Sequence, residues 1–316
     1  MTNDKDDEGQ EILDEFLYPR SPPGGRLAIL YGPMGSGKST FMNGIESFAL
    51  SQKEIVIHRG KQVDNWHVVS TKPHVWIPQL TTIQFQKQLK SGELINFDSS
   101  DFDIQEYDGP IELSRKISSG YNVVIEGNLE PVWSQIFWLL FVYGWNTLRK
   151  SYHFSLLSID EIADLFDSDP ADEESRIVKS FLRYLRDFRK NNINFLASSH
   201  YSGDIFYKIR QKVEFYIYLR GAALDKRYSI IHKDGILTSL ASNEGIIESK
   251  TRFGKFFFSE KGLKPGFTIR TSVLSEPKSI LPPWSDGSLT IVEKFLKPED
   301  LYRLGIWVKK EKRDNI

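Results

Sequence analysis

The chain has no cysteine, and that single absence removes disulfides, thiolate zinc sites and cysteine nucleophiles together. It fits a protein kept in a reducing interior. Neither sign of charge dominates: 41 Lys and Arg stand against 42 Asp and Glu, leaving −1. Bulk charge therefore neither asks for nor excludes a nucleic acid, because a basic stripe can coexist with an acidic tail. No charged-then-apolar signal pattern opens the sequence, and the most apolar run, Ile136 to Trp145, is too short and too aromatic to span a bilayer. A cytoplasmic protein with no membrane span is expected. Internal repeats are lacking, and the only biased tract is an acidic start. What remains is ordinary for a globular chain: 316 residues, 40% hydrophobic and 26% charged, enough for one substantial core.

One stretch organises that chain. Gly32-Pro33-Met34-Gly35-Ser36-Gly37-Lys38-Ser39-Thr40 fits the P-loop pattern of Gly, four residues, Gly, Lys and a hydroxyl residue. An apolar run, Leu27 to Tyr31, precedes it and a helical segment, Thr40 to Leu50, follows. Gly35 and Gly37 let backbone N–H groups turn toward phosphate oxygens, and the following helix aims its partly positive N-terminus at the same anion. Lys38 is placed to reach the β- and γ-phosphates of ATP, and Ser39 to offer a hydroxyl to Mg2+.

A second apolar strand, Phe154 to Ile159, ends in Asp160-Glu161. Downstream of a P-loop, Asp160 is the candidate to hold Mg2+ through water, and Glu161 the candidate to orient and deprotonate the attacking water. A third buried strand, Asn194 to Ser198, ends in Ser199-His200. Strand ends on one edge of a parallel sheet collect at the ligand, so Ser199 or His200 is placed to sense the γ-phosphate. A lone histidine at a strand end is otherwise just a hydrogen-bonded residue.

Elsewhere the reading is coarser. Residues 1 to 24 form an acidic flexible tail, with a short helix around Ile12 to Leu17 able to dock through Leu13, Phe16 and Leu17. Glu54 to His58 is a β-like run delivering Arg59 and Gly60, His74 to Pro78 is another apolar patch, Thr81 to Leu89 reads as a helix, and Ser91 to Pro110 as a loop or insertion. Asn122 to Ile125 is a buried strand with Glu126 at its end. Pro131 then opens a helix over Val132 to Lys150 that is apolar on nearly every side, its Trp133 and Trp138 serving as packing. Glu173 to Lys190 carries two stripes: Ile177, Phe181, Leu185 and Phe188 for the core, and Arg176, Lys179, Arg183, Arg186 and Lys190 for solvent, phosphate or a neighbouring subunit. Val213 to Leu219 is a further strand. Tyr228 to His232, Gly245 to Glu248 and Gly254 to Phe258 suggest hairpins, Lys264 to Gly287 an arm, and Lys297 to Lys312 a terminal helix. The expected domains are residues 1 to 24, 25 to 260 and 261 to 316.

This order of motifs resembles the additional-strand, catalytic-glutamate class of P-loop ATPases. Within it, residues 25 to 260 are similar to the HerA and FtsK group of DNA-pumping motors and to viral genome-packaging ATPases. Arg183, Arg186 and Arg189 precede the sensor strand as arginines do in that group. A Ser-Gln pair commonly ends the sensor strand there, and Ser199-His200 stands in its place here. The resemblance implies an α/β, three-layer, RecA-like fold with a mainly parallel sheet and C-terminal β-hairpins. It also implies a homo-oligomeric ring, usually of six subunits, acting on double-stranded DNA, with an arginine finger from a neighbour drawn from Arg186, Arg189 or Arg210. Two other classes stay open. An assembly or secretion ATPase similar to the zonula occludens toxin family keeps the same nucleotide site. A nucleoside kinase shares Gly32-Pro33-Met34 and Ser36-Gly37-Lys38-Ser39, although such kinases commonly carry a cysteine zinc site that is impossible here.

Overall fold

The acidic start is a helix, α1 (Asp4–Leu17), and it is docked. Ile12, Leu13 and Phe16 are buried, with Phe16 5.8 Å from Phe215 ring to ring. Arg252 pairs with Glu11 and Glu15 from the body. The expectation of a flexible tail fails over this stretch because three apolar residues on one face outweigh the acidic composition. The computed structural model describes residues 4–18, 24–96, 100, 102–148, 153–170, 172–224, 229–231, 235–276, 284 and 286–304.

Strand β1 (Leu27–Tyr31) is wholly buried, and its side chains alternate between two cores: Leu27, Ile29 and Tyr31 face one, Ala28 and Leu30 the other. That two-sided burial is the mark of a central parallel strand covered on both faces. Helix α2 (Lys38–Ser51) follows the glycine loop directly. Next come β2 (Ile55–Arg59), the short β3 (Val63–Asp64), β4 (His74–Pro78), β5 (Thr82–Leu89), β6 (Leu94–Asn96) and β7 (Asp103–Tyr107). Helix α3 (Pro110–Lys116), β8 (Tyr121–Val124) and α4 (Pro131–Thr147) follow. Pro131 opens α4, whose residues from Ser134 to Val142 are all buried. Gly144 is needed there: a Cβ on it would lie 2.1 Å from the Ser114 hydroxyl, so α3 crosses α4 on a glycine. Then come β9 (Ser155–Ile159), α5 (Asp172–Phe188), β10 (Ile193–Ser199), α6 (Tyr207–Arg210), β11 (Phe215–Leu219), β12 (Glu244–Glu248), β13 (Phe253–Phe257) and β14 (Phe267–Ser275).

Ten strands make one sheet in the order β13-β12-β11-β1-β10-β9-β2-β8-β4-β7. The eight from β11 to β7 run parallel, and β12 and β13 close one side as an antiparallel hairpin. Helices α4 and α5 pack over one face and α1 and α2 over the other, giving the three-layer, RecA-like α/β architecture expected from the sequence. Among the described residues no helix is long and apolar enough to cross a membrane.

Other expectations are corrected. The helix expected over Thr81 to Leu89 is instead strand β5 (Thr82–Leu89), because Ile83, Phe85 and Leu89 alternate with Gln84, Gln86 and Gln88 at a period of two. The supposed loop from Ser91 to Pro110 holds β6 and β7, and β7 forms the far edge of the main sheet. The supposed arm holds β14, which pairs with β5 and β3 in a second sheet of order β3-β14-β5-β6. Its inner face packs Phe85 and Ile269 against the same core as α2. The C-terminal region is thus woven back into the body. Of the proposed hairpin run Tyr228 to His232 only residues 229–231 are described, and of the terminal helix Pro298–Arg303, while 305–316 lie outside the described residues.

Candidate nucleotide site

The carboxyl ends of β1, β9, β10 and β2 meet on one edge of the sheet, and the candidate side chains Lys38, Glu161, Ser199 and His200 meet there with them. Gly35 and Gly37 have φ of 77° and 94°, the left-handed region open to glycine at little cost. A Cβ added at Gly35 would meet nothing within 4 Å, so the loop faces open space. Met34 at its tip is 88% exposed. The Lys38 ammonium curls back into the loop, donating to the Gly32 carbonyl at 2.7 Å and standing 2.9 Å from Nδ1 of His200. His200 Nε2 faces a Glu161 carboxylate oxygen at 3.3 Å, and the Ser199 hydroxyl lies 3.2 Å from the other. Lysine has only protons to offer, so Nδ1 accepts and Nε2 carries the proton toward Glu161. The chain of contacts is Lys38, His200, Glu161, Ser199.

Glu161 itself is held in a left-handed backbone with φ 54°, a conformation costing a non-glycine residue on the order of 1 kcal/mol or more. Its amide donates to the Ser198 hydroxyl at 3.1 Å, and that hydroxyl donates to Asp160. Ser198 thereby fixes both acids relative to β10. Lys61, from the turn after β2, places its ammonium 3.6 Å from Asp160 and 3.8 Å from Asp164. Burial pulls the Lys38 pKa below its ordinary value; the Glu161 and Asp160 charges oppose that shift, and Lys61 adds to it.

The residue types present fit a nucleotide with Mg2+. The loop is an open cradle, and the buried Ser36 hydroxyl within it has no hydrogen-bond partner among the described residues. Ser39 and Asp160 supply hard oxygen donors from two adjacent elements. Among the described residues no group of three His, Cys, Asp or Glu could hold a metal by itself.

The arginines fall elsewhere. Arg186 closes α5 and Arg189 follows it; the Arg189 carbonyl accepts from Gly25 just before β1, and its guanidinium lies 3.9 Å from Glu214 just before β11. Both therefore sit at the amino edge of the sheet, a strand length of about 20 Å from the P-loop of the same chain. Arg210 on α6 is buried at 5% exposure, so it is withdrawn from a neighbour's reach and the expectation of it as a finger fails. Lys61, Asp164 and Ser198 escaped the sequence reading. The signal for Lys61 was its place at the carboxyl end of β2, beside the Arg59 and Gly60 already singled out.

Two buried networks flank the site. Arg59 Nε donates to Glu126 at 2.5 Å, and the Trp138 indole donates to the same carboxylate oxygen at 2.6 Å, so this tryptophan does more than pack. Beside β2, both nitrogens of the buried His58 face carboxylates, Glu46 of α2 at 2.8 Å and Asp64 of β3 at 3.0 Å, and the Tyr121 hydroxyl donates to Glu46 at 2.7 Å. Burial alone would lower the His58 pKa, but the two carboxylates drive it well above the ordinary value, so the ring is an imidazolium. Burial likewise works against Asp64, and the His58 charge, the hydrogen bond from His58 and those from the Asn65 and Lys61 amides together outweigh it, leaving the Asp64 pKa lowered.

Fold and loop together define an α/β protein of the P-loop class. No protein-family description and no curated protein sequence matches the chain. Solved structures similar to it include the genome-packaging NTPase B204 of Sulfolobus turreted icosahedral virus 2 with AMPPCP, at 13% identity and TM-score 0.48, over 73% of this chain and 96% of that one. The bacterial conjugative coupling protein TrwB is similar at 10% identity and TM-score 0.48, over 79% and 88%. The N-terminal domain of zonular occludens toxin from Neisseria meningitidis is similar at 10% identity and TM-score 0.31, over 81% and 97%.

Proposed function

We propose that this chain hydrolyses ATP and couples the hydrolysis to movement of double-stranded DNA, working as a ring of identical subunits. The observation that carries the ATPase reading is the contact chain Lys38, His200, Glu161, Ser199 on the open side of the glycine loop. Lys38 is poised to exchange the Gly32 carbonyl and His200 for β- and γ-phosphate oxygens. Glu161, strained and gripped by Ser199 and His200, is the group that orients a water and takes its proton. His200, with its proton directed at Glu161, is placed to register the γ-phosphate and to pass that state to the base. Ser39, and Asp160 through water, are the residues that would hold Mg2+, which when bound would neutralise charge at the phosphates.

Arg186 and Arg189 lie at the edge opposite their own site, so as fingers they serve another copy's nucleotide, which is what a ring requires. For the DNA, α5 and the turn after it offer Lys179, Arg183 and Lys190 as an exposed stripe at helical spacing, about 16 Å long at 1.5 Å per residue. Such a stripe makes backbone contacts without reading bases. The test is phosphate release with and without long duplex DNA across a salt series, with Glu161→Gln as the blank. Stimulation that fades as salt rises is expected. Turnover indifferent to DNA points instead to an assembly or secretion ATPase, and turnover only with added nucleoside to a kinase; either result overturns the motor.

A further inference from the structure

The turn after β2 is more firmly built than a connection needs to be. The Gly60 amide donates to Val124 O at 2.9 Å, the Lys61 amide to Asp64 Oδ2 at 3.0 Å, and the Thr271 amide of β14 to Gln62 O at 2.8 Å. A Cβ at residue 60 would lie 2.5 Å from Ile125 Cδ1 and 2.9 Å from Val123 Cγ1, so glycine lets the turn pack closely against these side chains. Asp64, which pins Lys61, is itself pinned by the buried His58 imidazolium. The product of this construction is one ammonium group, 26% exposed, set between Asp160 and Asp164 at 3.6 and 3.8 Å. An ordinary surface ion pair holds two mobile side chains and contributes little. Here one partner is the carboxylate assigned to Mg2+ and the other side chain leaves a backbone fixed at three points.

We propose that Lys61 is a positioning residue of the nucleotide site: its ammonium holds the Asp160 carboxylate in cis and competes with the divalent ion for it, setting the Mg2+ concentration at which nucleotide binds. The inference rests on the nucleotide reading given above. Two cations that share one carboxylate repel each other, and a unit charge beside a divalent ion changes its affinity by about tenfold even in a water-like dielectric. The same ammonium attracts the polyphosphate. Removing it should therefore let the ion bind at lower concentration and weaken the nucleotide when no ion is present, two effects of opposite sign that a loss of structure cannot produce.

The experiment measures binding of a fluorescent, non-hydrolysable ATP analogue as Mg2+ is titrated, for wild type, Lys61→Gln, Lys61→Arg, Asp160→Asn and the double variant, each first shown to melt as wild type does. Lys61→Gln is expected to lower the half-saturating Mg2+ about tenfold and to weaken Mg2+-free binding, Lys61→Arg to behave as wild type, and Lys61→Gln to have a smaller effect on the Mg2+ requirement in the Asp160→Asn background, where competition for the carboxylate is gone. An unchanged or raised Mg2+ requirement in Lys61→Gln overturns the inference while leaving the nucleotide reading intact. Should wild type bind no analogue at any Mg2+ concentration, both fall. If Lys61→Gln melts early, Lys61→Met takes its place, and equal losses with and without Mg2+ also overturn the inference.

Discussion

Replacing Glu161 by Gln isolates the proposed base with little disturbance to its surroundings. Glutamine has the same shape, so its amide oxygen can accept from His200 Nε2 and its amide nitrogen can face the Ser199 hydroxyl, now at 3.3 and 3.2 Å from the carboxylate. The left-handed backbone at φ 54° is as costly for Gln as for Glu, so it cancels in the comparison. Stability should change by less than about 1 kcal/mol, the scale of one altered hydrogen bond. What is lost is the proton acceptor, and positioned general bases contribute about 100- to 10,000-fold, or roughly 2.7–5.4 kcal/mol at 1.36 kcal/mol per decade. A side effect has to be controlled. The Glu161 charge helps keep Lys38 protonated against burial, so its removal lowers the Lys38 pKa further, and binding belongs at or below neutral pH. The assay is phosphate release in a single turnover from pre-bound ATP, alongside analogue binding and a thermal melt. Turnover within about threefold of wild type, with binding intact, would refute the assignment of the base, because it lies far below the loss a general base implies.

The buried His58 network predicts a pH signature. Because the folded His58 pKa is raised, its contribution is complete below the unfolded value near 6.5 and is lost as pH rises through the folded one, at about 1.4 kcal/mol per unit. Asp64 gives the opposite limb, present above its unfolded value of 3.8 and lost as pH falls through its lowered folded value. His58→Gln, which strands two buried carboxylates, should cost about 3–5 kcal/mol at pH 6 and progressively less toward alkaline pH in chemical denaturation. A difference independent of pH would mean the ring is neutral. For α1, Phe16→Ala should destabilise by about 3 kcal/mol, because a fully buried ring is removed from a packed helix. Denaturation indistinguishable from wild type would return this segment to a mobile tail.

Local pattern was enough for the centre of the molecule. A glycine loop between an apolar strand and a helix, and strands ending in Asp160-Glu161 and Ser199-His200, follow from chemistry that acts within a few residues, so they could be read in one dimension. The rule that parallel strands deliver ligand groups at their carboxyl ends then put those groups on one edge. Contacts between segments far apart along the chain left no such trace. The alternation in β5 is legible once known to be a strand, but its partner β14 lies beyond residue 266, and register between distant segments is fixed by packing. The docking of α1 likewise depended on a hydrophobic surface at β11 to β13 that composition does not display. The arginines make the same point from the other side: helical spacing put Arg186 and Arg189 on a stripe, yet only the direction in which α5 returns along β10 placed them at the edge away from their own P-loop. The glycine loop, the strand-end acids and the parallel core thus needed no more than the order of residues, because each follows from short-range requirements of backbone geometry and apolar patterning. That Lys61 stands against Asp160 and that His58 is charged came only with folding in three dimensions, because both depend on which side chains burial brings together.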